Sequence, residues 1–214
     1  MKTLFEKYRP SNFDEVLGQD KAVKQVKTLL SRAWGGRAWW ICGASGTGKT
    51  TIAKIIARQG ADDFFITEYD SADAMTAPEV DRLEQNMCYL APGKGGRAFI
   101  INKAHGLRKP IIRLLLGLLE RIPNHVCIIF TTTKIGELSL FDEQIDANPL
   151  LSRCAKIELT NQGLAKPFAE HCRRIAVQEN LNGKSLQHYI RLAQNCKNNC
   201  RQMLMAIESG EMLE

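Results

Sequence analysis

Residues 43–50 read Gly43-Ala44-Ser45-Gly46-Thr47-Gly48-Lys49-Thr50, a complete phosphate-binding loop, and Thr51 follows it. The glycines allow successive backbone N–H groups to face a phosphate, and the helix that begins at the end of the loop adds its positive N-terminus. In such a loop the lysine reaches the β- and γ-phosphate oxygens, and the hydroxyl after it ligates Mg²⁺. The sequence therefore predicts a nucleotide site in which Lys49 and Thr50 hold ATP and Mg²⁺.

The residues around the loop predict the strand–loop–helix context that such a site needs. An apolar run at 38–42 predicts a buried strand that leads into the loop, and 49–59 predicts the helix that leaves it. Further strands are predicted at 64–69, 98–101, 126–131 and 155–159, and further helices at 20–33, 78–90 and 109–121. Short apolar strands that alternate with helices are typical of a parallel sheet covered on both faces.

The strand patterns stop near residue 160, and the rest of the chain reads as helical. Three helices are predicted there, at 164–179, 184–196 and 199–209. We therefore predict two units. Residues 1–159 form an α/β nucleotide-binding domain of the P-loop NTPase class, and residues 160–214 form a small three-helix lid.

Composition narrows the classes of function. The chain has 214 residues, of which 44% are hydrophobic and 24% charged, enough for a buried core. It has no apolar run near the roughly 20 residues of a membrane helix and no apolar signal peptide, so we expect a cytoplasmic protein without a membrane partner. Its seven cysteines lack a zinc-ligand spacing. A net charge of +6 permits nucleic-acid contact, but also fits a basic protein with no polyanionic partner.

Five further segments carry a family resemblance. They are residues 7–19, residues 68–73 after the second strand, residues 104–107 after the third, the motif Ser152-Arg153-Cys154, and residues 198–201. Together with the loop they resemble the clamp-loader branch of the AAA+ ATPases, which includes bacterial gamma/tau subunits and replication factor C small subunits. The resemblance covers nearly the whole chain and implies an AAA+ sheet domain followed by a helical lid.

The resemblance implies roles for individual residues. The N-terminal segment would pack against the adenine through Tyr8, Arg9, Pro10, Val16 and Leu17.

Three more residues would act near the γ-phosphate. Arg153 would be an arginine finger that reaches the phosphate held by a neighbouring subunit, or else a surface arginine before an edge strand. Thr133, with Thr132 as the alternative, would be sensor 1, unless the threonines merely favour a strand end. Arg201 would be sensor 2 or would face solvent.

Two positions depart from the family pattern. Where the family has aspartate and glutamate after the third strand, this chain has Asn102 and Lys103. The Asn102 amide can still accept a hydrogen bond from a metal-bound water, but it adds no charge, and a protonated lysine has no acceptor. Glu68, Asp70 and Asp73 belong to a strand that lies at the sheet edge in AAA+ proteins, so we expect them to lie away from the loop. These positions predict ATP binding with weakly held Mg²⁺ and slow or absent hydrolysis.

The resemblance implies an ATP-binding, clamp-loader-like subunit in DNA replication or a related DNA transaction. Its partners would be other AAA+ subunits, DNA and a sliding clamp. Two alternatives stay open: a structural adaptor that nucleotide only stabilises, and an active ATPase whose acid is unorthodox or supplied by a partner. The family's zinc module and its collar domain after the lid are missing from the 214 residues. This leaves open whether the chain is truncated or naturally compact, and whether it forms rings.

Overall fold

The centre of the computed structural model, which describes residues 2–133 and 147–213, is a five-stranded parallel sheet. Its strands are β1 (Arg37–Cys42), β2 (Ile66–Tyr69), β3 (Arg97–Ile101), β4 (Val126–Thr132) and β5 (Cys154–Glu158). They lie in the order β2-β3-β4-β1-β5, and every neighbouring pair is parallel. The predicted fold class, a parallel sheet flanked by helices and followed by C-terminal helices, is confirmed.

The described residues form nine α-helices. They are α1 (Leu4–Lys7), α2 (Asp20–Leu30), α3 (Lys49–Gly60), α4 (Ala77–Met87), α5 (Lys109–Leu119), α6 (Ala147–Ser152), α7 (Ala165–Gln178), α8 (Leu186–Asn195) and α9 (Cys200–Glu208). In the part of the chain that the structure describes, no helix has the length and apolar character needed to cross a membrane.

The prediction was wrong at some boundaries and missed two short helices. Strand β2 begins at Ile66 rather than at residue 64, because Asp63–Phe65 form one turn of 3₁₀-helix. Helix α4 ends at Met87, before the predicted end at residue 90. Helices α1 and α6 have four and six residues, too few to show a helical repeat of apolar positions.

Strand β1, which lies between β4 and β5, separates two apolar layers. Successive side chains of a strand point to opposite faces, so Trp40 packs with α4 and α5 while Trp39 and Ile41 pack with α2 and α3. Both indoles are fully buried, and the Trp40 ring lies 5.6 Å from the Phe130 ring. This burial on both faces holds the end of β1 rigidly where the glycine loop begins.

The lid has its own apolar core, and the N-terminus of the chain joins it. Helices α7, α8 and α9 enclose this core around Phe168 and Tyr189, and Leu4 of α1 is buried among them. Outside the core, Lys7 forms an ion pair of 2.6 Å with Glu179, to which the Tyr8 hydroxyl also donates a hydrogen bond. The N-terminal helix is therefore packed on the lid, although the predicted boundary assigned it to the sheet domain. The division at residue 160 stays a prediction.

Candidate nucleotide-binding site

A cleft of about 580 Å³ opens where the glycine loop, the ends of the strands and the lid meet. This volume lies within the range of about 300–1,000 Å³ that is typical of small-molecule sites. The loop lines one wall with Ser45, Gly46, Thr47, Gly48, Lys49, Thr50 and Thr51. The lid and the N-terminal segment line the opposite wall.

The loop geometry suits a phosphate. Gly46 and Gly48 have φ values of 77° and 100°, in the left-handed region that side chains disfavour, and no atom lies within 4 Å of the place where a Cβ on Gly48 would stand. The backbone is therefore open to the cleft at this point. Gly48 is the N-cap of α3, so the unpaired N–H groups of that helix face the same space.

Lys49 extends across the base of the loop. Its ammonium group donates to the carbonyl oxygens of Gly43 at 2.9 Å and Ala44 at 2.6 Å, so these two residues support the lysine and do not line the cleft themselves. Burial, and secondarily the positive charge of Arg201, lower the pKa of Lys49 to about 8. An anionic ligand such as a phosphate would stabilise the charged form of a buried ammonium group that lies beside a second cation.

The residues predicted to contact the base lie together on the far side of the cleft. Tyr8, Arg9, Pro10, Val16 and Leu17 all line it. The lid adds residues that the sequence reading missed, among them Phe168 and His171 of α7. Burial, and secondarily the positive charge of Arg174, lower the pKa of His171 and so favour the neutral ring. The far wall is therefore largely apolar and aromatic, as a nucleobase requires.

Asn102 stands at the centre of a hydrogen-bond network beside the loop. Its Oδ1 accepts from the Thr50 hydroxyl at 3.2 Å and from the Thr131 hydroxyl at 2.8 Å. Its Nδ2 donates to Oε1 of Glu68 at 2.9 Å, while Oε2 of Glu68 lies 2.7 Å from the ammonium of Lys54. All the polar atoms of the Asn102 side chain therefore have partners.

The expectation that the acids of the second strand lie away from the loop was wrong for two of the three. Strand β2 is at the sheet edge as expected, but it pairs directly with β3, which ends beside Asn102. The Asn102 N–H donates to the Tyr69 carbonyl at 2.9 Å, which draws the two strand ends together. Glu68 therefore reaches Asn102, and Asp70 lines the cleft. Asp73 instead accepts a hydrogen bond from Ser71 and stands against Gly106.

The fit to Mg²⁺ is partial. Because the Thr50 hydroxyl donates its proton to Asn102, its oxygen lone pairs remain for a cation. The Asn102 oxygen already accepts two hydrogen bonds, and the nearest carboxylate, Glu68, is paired with Lys54. Among the described residues there is no group of three His, Cys, Asp or Glu side chains that could hold a metal ion. Thr50 would thus hold Mg²⁺ mainly together with phosphate oxygens, with Asn102 in contact through water.

Lys103 has a left-handed backbone conformation, with φ of 53°. This conformation is uncommon for a residue with a side chain. Lys103 is exposed and lines the cleft next to Asn102, and its carbonyl accepts from Gly106 N–H at 2.9 Å within the turn that follows. The backbone of this turn therefore places the Lys103 side chain in the space beside the phosphate loop.

The three threonines at the end of β4 have different surroundings. All of them line the cleft. Thr133 is exposed, Thr132 is buried with its hydroxyl 3.1 Å from Nδ1 of His105, and Thr131 contacts Asn102. The sequence reading proposed Thr133 and then Thr132, and it missed Thr131. Sensor 1 at Thr133 stays a prediction.

The two predicted arginines lie in different places. Arg201 lines the cleft, with its guanidinium 5.4 Å from the centre of the Phe5 ring. Arg153 lies outside the cleft, where its Nε donates to Glu120 at 3.2 Å and its Nη1 to the Pro149 carbonyl at 2.9 Å. These placements do not decide whether Arg153 is an arginine finger or a surface arginine, or whether Arg201 is sensor 2 or faces solvent.

Comparisons with known proteins agree with the site geometry on the kind of protein to which this chain is similar. No family model matches the chain. It is 27% identical over 195 residues to the DNA polymerase III subunit gamma/tau of Mycoplasma pneumoniae, a match that covers 79% of this chain. It is also 27% identical over 179 residues to the DNA polymerase III subunit gamma of Buchnera aphidicola, covering 73% of this chain. This chain is a distant homologue of the gamma and gamma/tau subunits.

Solved structures share the fold of this chain. The RuvB Holliday junction branch migration motor of Thermotoga maritima matches with a TM-score of 0.73 over 94% of this chain and 64% of its own, at 20% identity. A single-substitution variant of the same protein also gives a TM-score of 0.73, at 19% identity. At such identities the likeness concerns the fold alone.

The gamma/tau homologue corresponds to only part of its relatives. The matches cover 27% of the Mycoplasma pneumoniae protein and 46% of the Buchnera protein.

Proposed function

We propose that this chain is an ATP-binding AAA+ subunit of clamp-loader type that acts in DNA replication or a related DNA transaction and hydrolyses ATP slowly. One observation carries the proposal: a complete phosphate loop stands beside an amide, Asn102, and an amine, Lys103, where an active site of this type needs two acids. The distant homology to gamma/tau subunits supports the clamp-loader type.

The slow hydrolysis follows from the chemistry of these side chains. A general base must accept a proton, and an exposed lysine ammonium has no acceptor. The Glu68 carboxylate also lines the cleft, but one of its oxygens accepts from the Asn102 amide and the other is paired with Lys54, so both oxygens are already engaged. General base catalysis contributes a factor of about 10²–10⁴ to rate. A bound Mg²⁺ supplies charge neutralisation at the β- and γ-phosphate oxygens, but no base.

The lid is placed to respond to the nucleotide. Asn199, the N-cap of α9, approaches the loop so closely that a Cβ on Gly46 would collide with its side-chain oxygen. Arg201, two residues further on, lines the cleft together with Lys49. A phosphate that moves either contact would shift the lid, and the lid would transmit the shift to partners. Proposed partners are other AAA+ subunits, DNA bound mainly through its phosphates, and a sliding clamp, all in the cytoplasm.

The experiment that tests the slow hydrolysis is a single-turnover measurement of phosphate release with protein in excess over ATP. We expect a rate below roughly 0.1 s⁻¹, since the median enzyme turns over at about 10 s⁻¹ and the missing base lowers the rate by about 10²–10⁴. Lys103→Glu should raise the rate at least about tenfold, because it restores an acceptor beside the loop. Lys103→Gln is the matched control, since it removes the charge without adding a base.

Three outcomes would contradict this proposal. Release near 1 s⁻¹ by the native chain alone would show an active ATPase with an unorthodox acid, and the same rate reached only with a partner subunit would show a supplied acid. ATP binding that changes neither self-association nor DNA affinity would instead assign the chain as an adaptor that nucleotide stabilises.

Arg153 provides a separate test of assembly. If Arg153 reaches a neighbour's phosphate, Arg153→Ala should weaken ATP-dependent self-association at least about tenfold, since loss of one partner of an interfacial charge pair costs about 2–5 kcal/mol. Sedimentation velocity with and without ATP measures this. Arg121→Ala is the control, because Arg121 is also an exposed arginine paired with a glutamate, Glu84. Equal effects of both substitutions would assign Arg153 to the surface.

A further inference from the structure

We propose that Glu68 is a positioning residue that fixes the Asn102 amide with its oxygen toward Thr50, and that it thereby sets how strongly Mg²⁺ supports nucleotide binding. The inference rests on the proposed nucleotide site and goes beyond it, because it gives a role to an acid on the edge strand of the sheet. It also explains how an asparagine can serve at a position where the family has an aspartate.

The first step of the argument is the backbone. Strand β2 pairs with β3 so that Glu68 lies opposite Ile100, and the Asn102 N–H is bonded to the Tyr69 carbonyl at 2.9 Å. These bonds hold Asn102 and Glu68 at neighbouring strand ends. The contact between their side chains is therefore set by the sheet itself.

The second step is the orientation of the amide. An amide presents a donor on one side and an acceptor on the other. Around Asn102, the Thr50 and Thr131 hydroxyls donate to Oδ1, and the Glu68 carboxylate accepts from Nδ2 at 2.9 Å. A flipped amide would place its oxygen against the Glu68 carboxylate, where two acceptors repel. Glu68 thus selects the orientation in which the Asn102 oxygen faces the hydroxyl that would ligate the metal.

The third step is electrostatic. Asn102 is 9% exposed, so its hydrogen bonds lie where the effective dielectric is low. A carboxylate that accepts from the amide nitrogen polarises the amide and makes its oxygen a better acceptor. Lys54, one helical turn after Thr50, holds the other Glu68 oxygen at 2.7 Å and keeps the carboxylate in place. Through this hydrogen bond, the Glu68 carboxylate on β2 gives the Asn102 oxygen, at the end of β3, part of the acceptor strength that an acid would have there.

The contact also predicts what an acid at position 102 would do. Asn102→Asp would bring two carboxylates together at about the distance of the present hydrogen bond, which is destabilising. The double variant Glu68→Gln/Asn102→Asp reverses the hydrogen bond, with the amide now on β2 as donor and the carboxylate on the Thr50 side. The net charge of the pair is unchanged, but the carboxylate now lies next to Thr50 and not one hydrogen bond away from it.

The test measures ATP affinity by calorimetry in Mg²⁺ and in EDTA, and compares the ratio of the two. We expect Glu68→Ala to reduce this ratio about tenfold, the lower end of the effect of residues that orient metal ligands. Glu68→Gln should give a ratio between those of the native chain and Glu68→Ala, because its single oxygen can accept from either Asn102 or Lys54 but does not serve both as the carboxylate does. Asp73→Asn is the matched control, since Asp73 is also an acid that follows β2 but it accepts from Ser71 and lies outside the cleft. An unchanged ratio in Glu68→Ala, or an equal loss in Asp73→Asn, would overturn the proposal.

A second measurement needs no nucleotide. Thermal unfolding should show a lower Tm for Asn102→Asp than for the native chain, and recovery of most of that loss when Glu68→Gln is added. A native chain that does not bind ATP would refute the proposed function, while this recovery would still report the contact between the two residues. Equal Tm values for Asn102→Asp with and without Glu68→Gln would show that the contact does not fix the amide.

Discussion

Replacing Lys49 by alanine is expected to weaken ATP binding at least about 100-fold. The lysine stands at the base of the loop, partly stripped of water, and each hydrogen bond from its ammonium to a phosphate oxygen is worth about 1.5–3 kcal/mol. Two such bonds correspond to at least about two orders of magnitude in Kd. Titration calorimetry with ATP in Mg²⁺ measures the change.

The matched control for this prediction is Lys27→Ala. Lys27 is also a helical lysine, but its ammonium is paired with Asp14 on the protein surface. We expect its removal to leave ATP affinity within about twofold, as for most surface substitutions. A Lys49→Ala variant that melts like the native chain and binds ATP within about threefold of it would place the nucleotide elsewhere.

Replacing Trp40 by alanine is expected to lower the free energy of unfolding by about 3–5 kcal/mol. The side chain is fully buried on the interior strand β1 and packs against Phe130. Its Nε1 has no hydrogen-bond partner among the described residues, so the loss is one of packing and apolar burial. Because domains are stable by only about 5–15 kcal/mol, this single change would remove a large share of the total.

Urea unfolding followed by circular dichroism measures this loss. The midpoint should fall while the slope with urea stays close to the native value, which indicates an unchanged two-state transition. Phe64→Ala is the control, since Phe64 is also a large aromatic side chain but is 91% exposed, and its removal should change stability by less than about 0.5 kcal/mol. A loss below about 1 kcal/mol for Trp40→Ala would mean that the two apolar layers are not the main source of stability.

Most of the fold could be predicted from the sequence because local sequence patterns indicate each of its main elements. The strand at residues 38–42, the loop after it and the helix from Lys49 onward follow one another without interruption, and each has its own signal. The lid helices were predicted within two residues at each end, because each has a clear apolar face. Helices α1 and α6 were missed because one or two turns carry no period.

The site was predicted less completely, for a physical reason. Residues of the loop are neighbours in sequence, so their cooperation is visible in a motif. Glu68 and Asn102 are 34 positions apart, and their contact depends on which strands pair and on how far each side chain reaches. The strand order alone suggested that Glu68 lies too far away, because it describes backbones and not side chains. Thr131 was missed for a related reason, since its hydroxyl could be distinguished from those of Thr132 and Thr133 only by its orientation.

The packing of α1 on the lid has a mechanical consequence. The chain crosses between the lid and the sheet domain twice, first after α1 and again between β5 and α7. A body attached at two points turns most easily about the line that joins them, as a door turns on two hinges. In the proposed response of the lid to nucleotide, these two crossings would define the main axis of rotation, and both would bend together. A nucleotide that contacts Tyr8 near one crossing and Arg201 on the lid would act on both the hinge segment and the body that turns about it.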